Sequence, residues 1–275
     1  MPGPMALGRR TFLGFMASTF GGGSFIAGTR KVGAIPDNAE TSPRVEFPPN
    51  QRVPTVEEIL ASQPRIRGKD PPYKAEIEFG RFVMGKSPSR VTPFEVARFF
   101  EQLRLGQLNS ELGPDAHVYG EEWPIRANPV IVSFFDATTL RTPSGDQTPW
   151  CAAFVNWCIQ RALENTIAPN SSLGTGSAAS ASFREWGTLT TSPREGDLAV
   201  FQHRRERNKG HVGFFVSSSR GGIYVLGGNQ MPFRARAPGG TYELRNTGEI
   251  NTKFLPMSGR DLELLTFRTH SSLHL

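Results

Sequence analysis

The chain has 275 residues, 37% of them apolar and 20% charged, which is enough to bury one full core behind an N-terminal arm. Its formal charge of +6 suits a surface that meets polyanions. Lys and Arg are nevertheless scattered from Arg9 to Arg268, with no stripe interleaved with aromatics, and this argues against nucleic acid as a partner.

The first segment reads as an address. Gly8-Arg9-Arg10-Thr11-Phe12-Leu13 sets two arginines before a weakly apolar, Gly-rich stretch, Phe12 to Ala27, in the manner of a twin-arginine export signal. Val32-Gly33-Ala34 suits cleavage after Ala34, so residues 1–34 are expected to direct the protein to the periplasm or outside the cell. A short membrane anchor or a disordered start is the competing reading. No other stretch reaches the ~18 apolar residues of a membrane span, so the mature chain is expected to have none. Residues 35–90 are rich in Pro and charge and read as an arm or linker, with short helices over Thr55–Leu60 and Ala75–Met84.

Residues 91–275 read as the folded part, with a core at about 123–268. Thr92-Pro93-Phe94-Glu95 predicts an N-cap, a first-turn proline and an acidic third position, opening a helix whose apolar face carries Val96, Phe99, Phe100 and Leu103. Asn128-Pro129 predicts a second helix start. Cys151 to Leu163 is apolar on nearly every side, as a helix in the middle of a core must be. After a Ser/Gly/Ala loop and a short helix at Phe183–Trp186, the period changes. Strands are predicted at Leu198–Phe201, His211–Val216, Ile223–Leu226, Thr252–Pro256 and Leu262–Arg268. Helices followed by antiparallel strands make an α+β fold.

Cys151 and Cys158 are the only cysteines. Seven residues of helix separate their Cα atoms by about 10 Å, beyond the ~7 Å a disulfide spans. No further cysteine and no histidine stand around them at ligand spacing, so a structural zinc site is not expected. Cys151 opens its helix, where unpaired N–H groups and the dipole favour a thiolate, whereas Cys158 lies two turns inside and reads as inert packing.

A base must accompany such a thiol. Of five histidines, His211 alone has a strand beneath it, with His203 the second choice in an arginine-rich run; His117 sits in a Gly/Pro-rich loop and His270 and His274 in a polar tail. The group that orients the imidazole falls on Asn229 at the end of the next strand, and a one-residue slip would present Gln230 instead. Asp146, Gln147 and Trp150, just before the helix, are candidates to line the site or hold the oxyanion. A polar turn explains Asp146 and Gln147 equally well, and Asp197 reads as the cap of a turn.

Thr-Pro-Trp-Cys-Ala-Ala-Phe-Val-Asn-Trp-Cys (148–158), Gly-Asp-Leu-Ala-Val-Phe (196–201), Gly-His-Val-Gly-Phe-Phe-Val (210–216) and Leu-Gly-Gly-Asn-Gln (226–230) together resemble the CHAP domain, the cysteine- and histidine-dependent amidohydrolase/peptidases related to NlpC-type and papain-like enzymes. The resemblance implies a papain-like fold and hydrolysis of amide bonds in peptidoglycan, with Cys151 as nucleophile, His211 as base and no cofactor. Many members carry a Glu shortly before the Asn, where this chain has Gly227-Gly228, leaving Asn229 as the match for the third residue. Two readings compete with hydrolysis: acyl transfer to an amine through the same thiol, and a non-catalytic wall-binding or toxin-like module. The sequence does not reveal the oligomeric state.

Overall fold

A computed structural model describes residues 74–123, 127–140, 142–163, 167–168, 171–231 and 248–274. The expected export signal and the helix at Thr55–Leu60 lie outside them. Among the described residues no helix is long and apolar enough to cross a membrane.

The first described helix, α1 (Lys74–Lys86), belongs to what reads as an arm, yet it packs on the folded part. Gly80 allows this, since a Cβ there would come within 3.0 Å of the Pro129 ring, and Phe79 meets the Tyr119 ring with centroids 4.8 Å apart. Arg161 then ties down the C-terminal end of α1 by donating to Ser87 O at 2.7 Å and Gly85 O at 3.2 Å. The charged surface of α1 hides this attachment from a compositional reading.

In α2 (Pro93–Arg104) the predicted cap forms in full: Thr92 Oγ1 accepts from Glu95 N, and the Glu95 carboxylate accepts from Thr92 N at 2.7 Å. A one-turn α3 (Asn109–Leu112) leads toward α4 (Pro129–Phe134). Buried Asn128 caps α4 by accepting from Val130 N at 2.9 Å, while its amide donates to Tyr119 O and Glu121 O at 2.8 Å each. Asp146 locks the same region from the other side, its Oδ2 accepting from both Trp123 N and Asn128 N at 2.9 Å.

The central helix α5 (Cys151–Leu163) is buried along almost its whole length, as its apolar circumference requires. Phe100 and Phe134 meet the Trp157 ring edge-on at 5.4 and 5.8 Å. Asn156, polar and deep in the core, accepts from Thr175 N and Gly176 N and donates to Ser177 O, so the Ser/Gly loop is stitched to mid-helix.

Six antiparallel strands follow: β1 (Thr188–Thr190), β2 (Leu198–His203), β3 (Gly210–Ser219), β4 (Gly222–Gln230), β5 (Glu249–Pro256) and β6 (Leu262–Thr269), in the spatial order β1-β6-β2-β3-β4-β5. The fold is α+β as expected, compatible with a papain-like domain. Strand alternation divides the apolar residues. Leu198, Val200, Val212, Phe214 and Leu226 join the core around α5, and Ala199, Phe201, Phe215, Ile223 and Val225 cluster on the other face with Leu255, Leu264 and Phe267. Strand β1 escapes a pattern reading because it is a three-residue exposed edge. The histidine-bearing tail is not loose: Leu273 is buried, and His274 Nε2 lies 2.7 Å from the Asp197 carboxylate, whose other oxygen accepts from Arg194 N as the expected turn cap.

Burial pushes the Asp146 carboxyl from its ordinary 3.8 up to about 7, against the pull of its two backbone N–H donors. A folded pKa above the unfolded one stabilises fully below pH 4 and loses that contribution as pH rises toward 7. Asp146→Asn removes the dependence. The unfolding free energy of the variant relative to the parent should therefore rise between pH 4 and pH 7 and then level off, by about 4 kcal/mol at most; a pH-independent difference would contradict the assignment.

Candidate active site

The Cys151 thiol sits at the first residue of α5, buried against the sheet. The backbone N–H groups of Val212, Ala152 and Cys151 itself lie near its sulfur and favour the thiolate. The last two are orphan donors of the helix start, and the first comes from β3. Val212 N–H is available because β4 has parted from β3 here. Their ladder runs from Ser219–Gly222 only to Phe214–Leu226, leaving His211 to Gly213 without partners on that side. The helix start fills this opening: a Cβ on Gly228 would come within 2.3 Å of the Trp150 ring.

His211 is the residue before Val212, so the expected base lies next to the backbone group that touches the sulfur. Its ring leaves the strand on the face opposite the Val212 side chain, beside Phe201, with ring centroids 6.4 Å apart. Nε2 is buried without a hydrogen-bond partner in good geometry and rests over Gly227, where a Cβ would lie 3.2 Å from it. The Gln230 carboxamide converges on the same spot, and its buried Oε1 likewise has no other partner. The Gln230 amide nitrogen is held by Val225 O at 3.1 Å and Asn251 Oδ1 at 3.1 Å. The side-chain interaction with Gln230 favours the imidazolium, but burial dominates, joined by the Lys253 charge, and takes His211 from 6.5 down to about 4.

Burial also raises the Cys151 thiol above its ordinary value despite its three N–H donors. The helix start favours the thiolate as expected, but desolvation outweighs it, and burial disfavours the charged form of both Cys151 and His211. Cys158 is raised further, by burial alone with nothing to offset it. Both cysteines are free thiols.

The structure separates the other expected residues. Asn229 does not reach His211. It has φ 58°, and this left-handed turn swings its side chain toward the helix start, where the amide donates to Glu122 Oε1 at 3.1 Å and its carbonyl accepts from Trp150 N at 3.3 Å. The one-residue alternative, Gln230, is the side chain that meets the imidazole. Trp150 is fully buried, with its indole N–H donating to Glu122 at 2.9 Å, so it lines no substrate surface. Asp146 is buried in the loop clamp described above. Gln147 alone of these candidates is exposed, with its side chain bonded to Asp146. The Gly227-Gly228 pair, a departure from the family pattern, has a steric cause: one Cβ would crowd the imidazole and the other the Trp150 ring.

His203 caps its own loop, Nδ1 accepting from Arg205 N and Glu206 N, and takes no part in the site. Sequence reasoning missed three contributors. Val212 acts through its backbone, which carries no side-chain signature; Lys253 acts at a distance from β5; and Glu122 lies in a Glu-Glu-Trp run that reads as a surface loop, although it is buried. Among the described residues no group of three or more His, Cys, Asp or Glu stands where it would hold a metal.

No curated protein and no solved structure matches the chain. A protein-family model does match, that of the CHAP domain, over residues 143–229, from the loop before α5 to Asn229. That matched stretch holds the helix-start cysteine, the strand histidine and strands β1 to β4, and its likeness to the CHAP domain suggests a hydrolase of the peptidoglycan amidase and peptidase type.

Proposed function

We propose that the protein cleaves amide bonds in peptidoglycan, as an amidase or endopeptidase, by nucleophilic catalysis through Cys151 and His211. The observation that carries the reading is the placing of the buried thiol beside the backbone N–H of Val212, the neighbour of His211, where the β3–β4 ladder has ended. With Nε2 turned toward Gly227 and Gln230, this reading needs Nδ1 to reach the sulfur. Gln230, in place of the expected Asn229, orients the ring. Export, on the strength of Arg9-Arg10 and the apolar stretch after them, would bring the enzyme to its polymer.

The chemistry starts from the neutral pair. Nδ1 takes the thiol proton as the sulfur attacks the amide carbon, and the N–H at the helix start stabilises the oxyanion. The imidazolium gives its proton to the departing nitrogen as the C–N bond breaks. Water, deprotonated by the same ring, then attacks the thioester and releases the carboxylic acid and the thiol. An amine in place of water would give transfer, so the product decides between the two outcomes.

Digestion of purified sacculi tests the proposal. The protein should release fragments with new carboxyl groups by mass, and Cys151→Ala should lower the rate at least ~10³-fold. Cys158→Ser should keep activity while lowering Tm, because it puts a hydroxyl into a fully buried apolar site. Equal digestion by parent and Cys151→Ala would remove the thiol from the mechanism.

The base must be unprotonated to work, so kcat/KM should hold from neutral pH down to about 5 and fall with a midpoint near 4. Lys253→Glu reverses a charge that holds the imidazole neutral, and the midpoint should move upward. An acid limb unmoved by this exchange would show that another group titrates.

A further inference from the structure

Glu122 is a buried carboxylate that the mechanism above does not use. It is held on three sides: by the Trp150 indole N–H at 2.9 Å, by the Asn229 amide at 3.1 Å, and by the backbone N–H of Gly248 at the start of β5. Its own backbone N–H donates to Gly248 O at 2.9 Å. Burial raises its pKa, and the Gly248 and Trp150 donors oppose that rise. A carboxylate withdrawn from water at such cost is retained where its geometry is needed.

Its partners show what it spans. Trp150 immediately precedes the thiol residue, and its backbone N–H donates to the Asn229 carbonyl. Asn229 immediately precedes Gln230, which meets the imidazole. One carboxylate thus ties the residue before the nucleophile to the residue before the ring's partner, across the gap where the β3–β4 ladder has ended and no strand pairing fixes the distance. Room for adjustment is small, since Gly248 Cα stands where a Cβ would lie 2.5 Å from both Glu122 Oε1 and the Asn229 side chain.

We infer that Glu122 is a positioning residue for the Cys151–His211 pair, acting through Trp150 and Asn229 without touching substrate. The inference deepens the proposed hydrolase reading and rests on the same thiol site. It gives Asn229 a role that differs from orienting the imidazole: the side chain fastens the helix start, and the left-handed backbone lets Asn229 and Gln230 serve opposite faces of β4.

The test reads the thiol directly and needs no substrate. Alkylation of Cys151 by iodoacetamide is followed by peptide mapping from pH 6 to pH 10 in the parent, Glu122→Gln and Asn229→Gly. Glutamine turns an amide donor toward three donors; glycine keeps the left-handed backbone while deleting the bridging carboxamide. Both variants should alkylate Cys151 roughly tenfold more slowly at pH 8, with the midpoint moved upward as the sulfur loses its Val212 N–H donor. In sacculus digestion they should lower kcat about tenfold with KM unchanged, and the double variant should lose no more than either single one. A folded Glu122→Gln with the parent's alkylation curve and kcat would overturn the inference. Should that variant fail to fold, an unaltered curve and kcat in Asn229→Gly would overturn it equally. A parent protein inert on sacculi, with the alkylation curves still displaced in the variants, would sink the hydrolase reading and leave the positioning role standing.

Discussion

The site depends on a helix start pressed into the open end of a hairpin. Strands β3 and β4 pair from their turn only as far as Phe214–Leu226, and the first residues of α5 occupy the space beyond. Were the ladder to continue, Val212 would give its N–H to a strand instead of a sulfur. Were Gly228 any larger, the Trp150 ring would be displaced and Cys151 with it. The packing of the Trp150 ring on Gly228 therefore brings together two elements that lie far apart in the chain.

That close packing also sets the electrostatics. Burial at the junction raises the thiol and lowers the imidazole, disfavouring the charged form of each. The neighbouring carboxylates, Glu122 and Asp146, are moved in the same sense and by the same cause. Asp146 is raised further by the nearby Glu122 charge. Desolvation outweighs each individual hydrogen bond around the helix start, and for this reason a reading of Cys151 from the helix dipole alone overstates its acidity.

Much of this was legible in the sequence. The period of α5, the Thr92–Glu95 cap and the Asn128-Pro129 start each rest on local residues, and each forms where it was expected. The nucleophile and base candidates followed from the elements beneath them. What was illegible is non-local. A left-handed backbone at Asn229 exchanges the faces of two successive side chains, and no periodicity announces it. The burial of Glu122 arises from Trp150 and Gly248, which are distant in the chain, and its own surroundings read as a solvated loop. The attachment of α1 turns on Gly80 meeting a proline ring that composition cannot foresee.

A sulfur kept protonated and shielded from solvent has a chemical consequence beyond catalysis. Peroxides and mixed disulfides react with thiolate, so a neutral, enclosed Cys151 is a slow target for oxidative damage. Cys158, two helical turns away and unable to bridge to it, offers no resolving partner. Resistance to oxidation therefore rests on concealment of the sulfur rather than on a partner that could reverse the damage.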